Sequence, residues 1–188
     1  MRSLPTLSVF CLAIALAAGC GDPFGLLRPT VENNVDTLVS LYALSGTLPG
    51  TASGYDLAGR SKVLIEEGGP FDFAIDLDSA NRPVLKPTGA LQLGRSSGVQ
   101  ATTLPFDSIR FAPTGGFQLD SAVTLDVGGS AIVHSAPTGC SITITPAYYY
   151  YAKLQILAVD TATRRIDFRI LVDQNCGYRG LEPGLPSR

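Results

Sequence analysis

Ile166, Phe168, Ile170 and Val172 alternate with Asp167, Arg169, Leu171 and Asp173. Successive side chains of a strand point to opposite faces, so a period of two writes one face of a β-sheet and fits no amphipathic helix. The same beat runs earlier in the chain. Phe71, Phe73, Ile75 and Leu77 alternate with Asp72, Ala74, Asp76 and Asp78. These residues are expected to form a strand with one buried face and one solvated, acidic face. Ser79 to Pro83 reads as the turn that follows, and "VLKP" as the returning partner strand.

Other short apolar runs separated by Gly, Pro, Ser and Asn extend the pattern. A strand is expected from Thr37 to Leu44, although Val31, Val35, Leu38, Val39 and Tyr42 also fit helical spacing. "SKVLIEE", "GALQL", "SIRFA", "GFQLDSAVTLDV", "SAIVHS" and "SITIT" follow as strand candidates. "YYYYAKLQILAVD", the turn "TATR" and "RIDFRILVD" form the clearest hairpin. Strands at intervals of about 8–12 residues, with no segment that must be helical, predict an all-β fold. An antiparallel β-sandwich is the first expectation. A small closed β-barrel, lipocalin-like, is the alternative, because up-and-down hairpins also close and periodicity does not separate the two.

The N-terminus follows a different rule. Arg2 is the only charge in the first twenty residues, and Leu4 to Gly19 is uncharged. This run is short for a transmembrane span of about 20 residues and suits a signal-peptide core. It ends in Leu16-Ala17-Ala18-Gly19-Cys20 and then breaks at Gly21, Asp22 and Pro23. That run resembles the lipobox of bacterial lipoprotein signal peptides. The family pattern has Leu three places before the cysteine; here Ala17 holds that place and Leu16 stands one step earlier. The resemblance covers residues 1–20 alone, and no family is recognised for residues 21–188. It implies cleavage before Cys20, acylation of its thiol and a membrane-anchored mature chain. Two or more acyl chains hold a protein on a bilayer where one does not. Phe10 before Cys11 is too large for the small-residue position, so Cys11 is expected to leave with the leader. Asp at the second mature position favours inner-membrane retention in that class. Gly21 stands there, which implies the outer membrane if the organism has one, and otherwise the outer face of the cytoplasmic membrane. An ordinary secretory signal cut near Ala18, or a buried core helix, are the competing readings of the same run.

The resulting organisation is a signal peptide at 1–19, a lipidated N-terminus and tether at 20–35, a single β-domain at 36–178 and an irregular tail at 179–188. Lys and Arg number 14 against 16 Asp and Glu, a formal charge of −2. With charges scattered and no basic run beyond Arg164-Arg165, nucleic acid is not an expected partner. The expected partner is the membrane, through the lipid; a protein or small-molecule partner is left unidentified. If Cys20 goes to lipid, Cys140 and Cys176 remain as an even pair in an oxidising compartment, and a disulfide between them is expected. Two free thiols or a metal pair are the alternatives. His134 is the single histidine and no C-x-x-C spacing exists, so neither metal nor cofactor is expected.

Three further constellations bear on chemistry. Gly94-Arg95-Ser96-Ser97-Gly98 matches G-x-S-x-G, and Asp107, Asp120, Asp126 and His134 follow in hydrolase order. That motif needs a strand–turn–helix context, and "VQATTLPFDS" is a poor helix, so a Gly/Ser turn is expected and a serine hydrolase is the remote alternative. Asp72, Asp76, Asp78 and Asn81 lack the compact loop calcium needs. Tyr148, Tyr149, Tyr150 and Tyr151 form a possible binding surface. On a strand, Tyr148 and Tyr150 face one way and Tyr149 and Tyr151 the other, with one pair packed and one exposed. His134 is expected at a strand end facing water. The functional expectation is a non-enzymatic envelope lipoprotein that interacts or serves structurally. A binding protein holding a small apolar ligand in a barrel is the alternative.

Overall fold

A computed structural model of the 188-residue chain describes residues 30–137 and 148–186. Ten strands appear: β1 (Asp36–Tyr42), β2 (Gly54–Asp56), β3 (Ser61–Val63), β4 (Phe73–Leu77), β5 (Pro83–Pro87), β6 (Gly98–Thr102), β7 (Val123–Thr124), β8 (Ser130–His134), β9 (Tyr151–Asp160) and β10 (Arg165–Asp173). They form two five-stranded sheets with neighbours antiparallel throughout. The first sheet has the order β1-β10-β9-β8-β6 and the second β3-β2-β4-β5-β7. The architecture is a β-sandwich, and no closed barrel is present among the described residues.

The period-two segments behave as the alternation requires. Phe73, Ile75 and Leu77 of β4 meet Ile166, Phe168, Ile170 and Val172 of β10 in one core cluster between the sheets. Tyr55, Phe73 and Phe168 stack there with ring centroids 5.7–6.3 Å apart. Turn chemistry closes the two hairpins. Asp78 Oδ1 accepts the N–H groups of Ala80 and Arg82, while Asn81 takes φ 59° between β4 and β5. Asp160 accepts the Thr163 hydroxyl at 2.7 Å, and Arg164 takes φ 56° between β9 and β10. A bulge between Asp167 and Phe168 leaves Leu157 unpaired and exposed on β9.

Several expected boundaries move. "GALQL" is a 3-10 turn over Thr88–Leu91, not a strand. A Cβ on Gly89 would collide with the Leu119 carbonyl oxygen, and Gln92 ends the turn at φ 62°. "SIRFA" holds only a bridge between Phe111 and Gly180, and "GFQLDSAVTLDV" contributes a bridge at Gln118 and the short β7. β2 and β6 are strands the pattern did not announce. The expected "SITIT" strand lies outside the described residues.

Both ends of the domain are tighter than a tether and a tail. Asn34 exchanges backbone hydrogen bonds of 2.8 and 3.0 Å with Gly184, and its Nδ2 donates to Gly180 O at 2.8 Å. Residues 30–35 are therefore docked on the domain. The segment from 178 to 186 forms no strand, yet it buries Tyr178 and Leu181, the latter against Ile132 and Leu171 of the first sheet.

The acidic face of β4 is not a solvated one. Asp72 and Asp76 are each 5% exposed. The reason is that neighbouring segments pass over both ends of β4 and need acceptors: the β2–β3 turn and the segment leaving β8 at Asp72, the segment leaving β1 at Asp76. Asp72 takes the N–H groups of Leu57 and Ala136, both at 2.8 Å. Asp76 takes the Ser45 hydroxyl at 2.8 Å and the Lys86 ammonium at 2.7 Å. Only Asp78 behaves as a turn residue, pairing with Arg82 at 2.9 Å.

Candidate functional site

The outer face of the first sheet carries an unusual set of polar side chains. Register places Gly98, His134, Tyr151 and Asp173 in one cross-strand row. Gln100, Ile132, Lys153 and Leu171 form the next, and Thr102, Ser130, Gln155 and Arg169 the third. Side chains along this face would meet water if the sheet were bare. Instead Phe106, Ile109, Ala112 and Leu181 cover it, forming a second apolar cluster with Ile132 and Leu171. His134, Lys153 and Asp173 are buried beneath.

Each adapts differently. Lys153 donates to Ile109 O at 3.0 Å, and its ammonium sits 4.5 Å from the Phe106 ring centre. Arg169 stacks on the same ring at 3.9 Å and pairs with Asp107 at 3.0 Å. Burial pushes the Lys153 ammonium down, against the opposing pull of Asp36 and Asp107. Asp173 accepts from the Asn175 N–H and side-chain amide through Oδ1, at 2.8 and 2.9 Å. Its Oδ2 is buried without a partner among the described residues. Burial raises its pKa to about 6, with the Asn175 hydrogen bonds opposing.

His134 lies at the end of β8, as expected, but under aromatic rings rather than facing water. Its Nδ1 is 2.9 Å from Ser135 O. A carbonyl only accepts, so Nδ1 carries the proton and Nε2 is the acceptor. Desolvation lowers the pKa of the ring, with the Ser135 bond opposing. Phe117 and Tyr149 contact the imidazole edge-to-face at 4.6 and 4.7 Å, and Tyr151 stands 6.4 Å away. A Cβ at Gly98 would collide with Nε2, so glycine is required for β6 to pass this ring. A recess of about 210 Å³ opens here, lined by Thr114, Gly116, Phe117, Leu119, His134 and the two tyrosines among others.

The tyrosine run divides by parity. Tyr150 packs against the main core, while Tyr149 and Tyr151 turn to the His134 recess. None of the four is fully exposed. Ser96 is not brought to a base: its Oγ contacts Thr88 Oγ1 at 3.2 Å, and β6 follows the motif as a strand where a nucleophile elbow requires a helix. Among the described residues no group of three or more His, Cys, Asp or Glu is placed to hold a metal ion.

Cys20 and Cys140 lie outside the described residues. Cys176 follows the end of β10. The expected "SITIT" strand, and with it its adjacency to β10, lies outside the described residues. The Gly177 N–H donates to Tyr149 O at 3.1 Å.

Sequence reasoning missed Lys153 and Asp173. Both sit at the outward positions of strands, where charge is ordinary, and only the overlying lid buries them. No protein-family model matches the chain, and a search of curated proteins finds no significant match. The geometry therefore stands by itself: a two-sheet sandwich with a lidded outer face and a small aromatic recess.

Proposed function

We propose that the chain is a membrane-anchored lipoprotein of the cell envelope, with its sandwich serving as a non-enzymatic interaction or structural module. The observation that carries this reading is Leu16-Ala17-Ala18-Gly19-Cys20, an apolar leader ending in small residues and one cysteine. Its support within the domain is the engagement of the reactive residues. Ser96 bonds to Thr88, and His134 is held by Ser135 and ringed by aromatics. A Cys140–Cys176 disulfide belongs to the same reading, since export permits oxidation and lipidation of Cys20 leaves an even pair. The Gly177–Tyr149 hydrogen bond supports it, because Tyr149 closes the loop that contains Cys140.

Metabolic labelling with a clickable fatty acid tests the anchor. The wild-type chain is expected to label and Cys20→Ser to lose the label; equal labelling of both rejects the reading. The recess at His134 favours a second reading, binding of a small ligand, on the surface of the sandwich and not in a barrel lumen.

A further inference from the structure

We infer that the flank of the sandwich carrying Val31, Val35, Leu38 and Leu185 rests on the bilayer surface. This inference depends on the lipid attachment at Cys20 proposed above. The four side chains are 76%, 57%, 78% and 59% exposed, an unusual number of large apolar groups around one end and edge.

They are also fixed to the domain. Val31 and Glu32 donate their N–H groups to Asn175 Oδ1 at 2.9 and 3.1 Å. The two-way, antiparallel pairing of Asn34 with Gly184 fixes the backbone one residue before both Val35 and Leu185. Leu38 follows on β1, the edge strand of the first sheet, opposite Arg169. The patch is thus rigid and continuous with the point where the chain arrives from Cys20.

Chain length selects the occupant. About eleven residues separate Cys20 from Val31, a span of roughly 18 Å for a flexible linker and about 40 Å at full stretch. An acyl group held in the membrane keeps this flank about 18 Å from lipid on average and never more than about 40 Å away. No other surface is presented at comparable effective concentration. Glu32 and Asp36 are exposed among the apolar residues. Carboxylates there set the depth at the headgroup zone and favour zwitterionic phospholipid over anionic lipid.

The chain contains no tryptophan, so a single introduced indole reports alone. Leu38→Trp, Leu185→Trp and, as control, Val127→Trp would be made in the full lipidated protein. Val127 is 59% exposed and precedes Gly128, which bonds to Ile156 of β9 on the far side of β10 from β1. The proteins would be reconstituted in phosphatidylcholine vesicles brominated near the top of one acyl chain. Quenching at positions 38 and 185 is expected to exceed that at 127 at least threefold. It should weaken when phosphatidylglycerol replaces half of the unbrominated lipid. Equal quenching at all three positions, in protein that still floats with vesicles and is lost from them in Cys20→Ser, overturns the contact and leaves the anchor standing. Wild-type protein that carries no lipid removes the anchor and the contact together.

Discussion

Asp72 accepts the backbone N–H of Ala136 at 2.8 Å, and this bond joins the start of the second sheet's β4 to the segment leaving β8 of the first. The other carboxylate oxygen takes Leu57 N–H at the same distance. Asp72→Ala strands two N–H donors and is expected to lower stability by about 2–4 kcal/mol. Asp72→Asn sets an amide NH₂ against one of those donors, so it should recover less than half of the loss. Urea unfolding of the three proteins checks this; an Asn variant as stable as wild type would show that one of the two bonds carries no weight.

Asp173 gives the chain a specific pH dependence. Its folded pKa is raised to about 6, by burial first. A raised carboxyl binds its proton more tightly folded than unfolded. Its penalty is absent below the unfolded value of about 3.9, grows as pH rises, and is complete above about 6. Asp173→Asn is therefore expected to be more stable than wild type at pH 7.5, by up to about 3 kcal/mol, and to lose that advantage near pH 4. Thermal melts across that range decide it.

Lys153 is a long side chain spent on one carbonyl and one ring. Lys153→Met keeps the volume and removes the buried charge, at the cost of an unpaired Ile109 carbonyl. A stability change below about 1.5 kcal/mol at pH 7 is expected. Lys153→Ala leaves a cavity under Phe106 and should cost about 2–4 kcal/mol. Because burial lowers the Lys153 pKa, the wild type should gain stability on the way to alkaline pH, and the Met variant should not.

The Cys140–Cys176 pair is checked by mass spectrometry of mature protein alkylated with and without reduction. Neither cysteine is expected to alkylate before reduction. Closing a loop of about 37 residues contributes roughly 3.8 kcal/mol by the chain-entropy estimate, so Cys140→Ser should unfold at visibly lower urea. Full alkylation without reductant would rule the bond out.

Strands were legible where alternation ran five residues or more. β4, β8, β9 and β10 each write apolar residues at every second place against the main core. β2 and β6 begin with Gly54 and Gly98, and sequence reads glycine as a turn; here glycine allows close passage, against Ile65 in one case and His134 in the other. "SIRFA", and "GFQLDSAVTLDV" ahead of β7, differ from the strand expectation for a related reason. Their Ile109, Ala112 and Phe117 do bury apolar surface, but as a lid laid over side chains and not as strands sharing a ladder. That lid is what makes a site of His134, Tyr151, Lys153 and Asp173. Its contacts join residues far apart in the chain, and local pattern carries no trace of them. The buried Asp72 and Asp76 escaped for the same cause: alternation tells which face a residue takes, not what crosses that face.

The pairing of Asn34 with Gly184 has a topological corollary. Two residues separated by nearly the whole domain lie one hydrogen bond apart, so the order in which the strands are encoded is not what defines the sandwich. A gene in which Gly184 runs through a short linker into Asn34, and which opens instead at the Thr161–Thr163 turn, would spell a different sequence for the same two sheets. In such a permutant β10 would lead the chain and β9 would end it, with β1 following β10 across the new joint as its antiparallel neighbour.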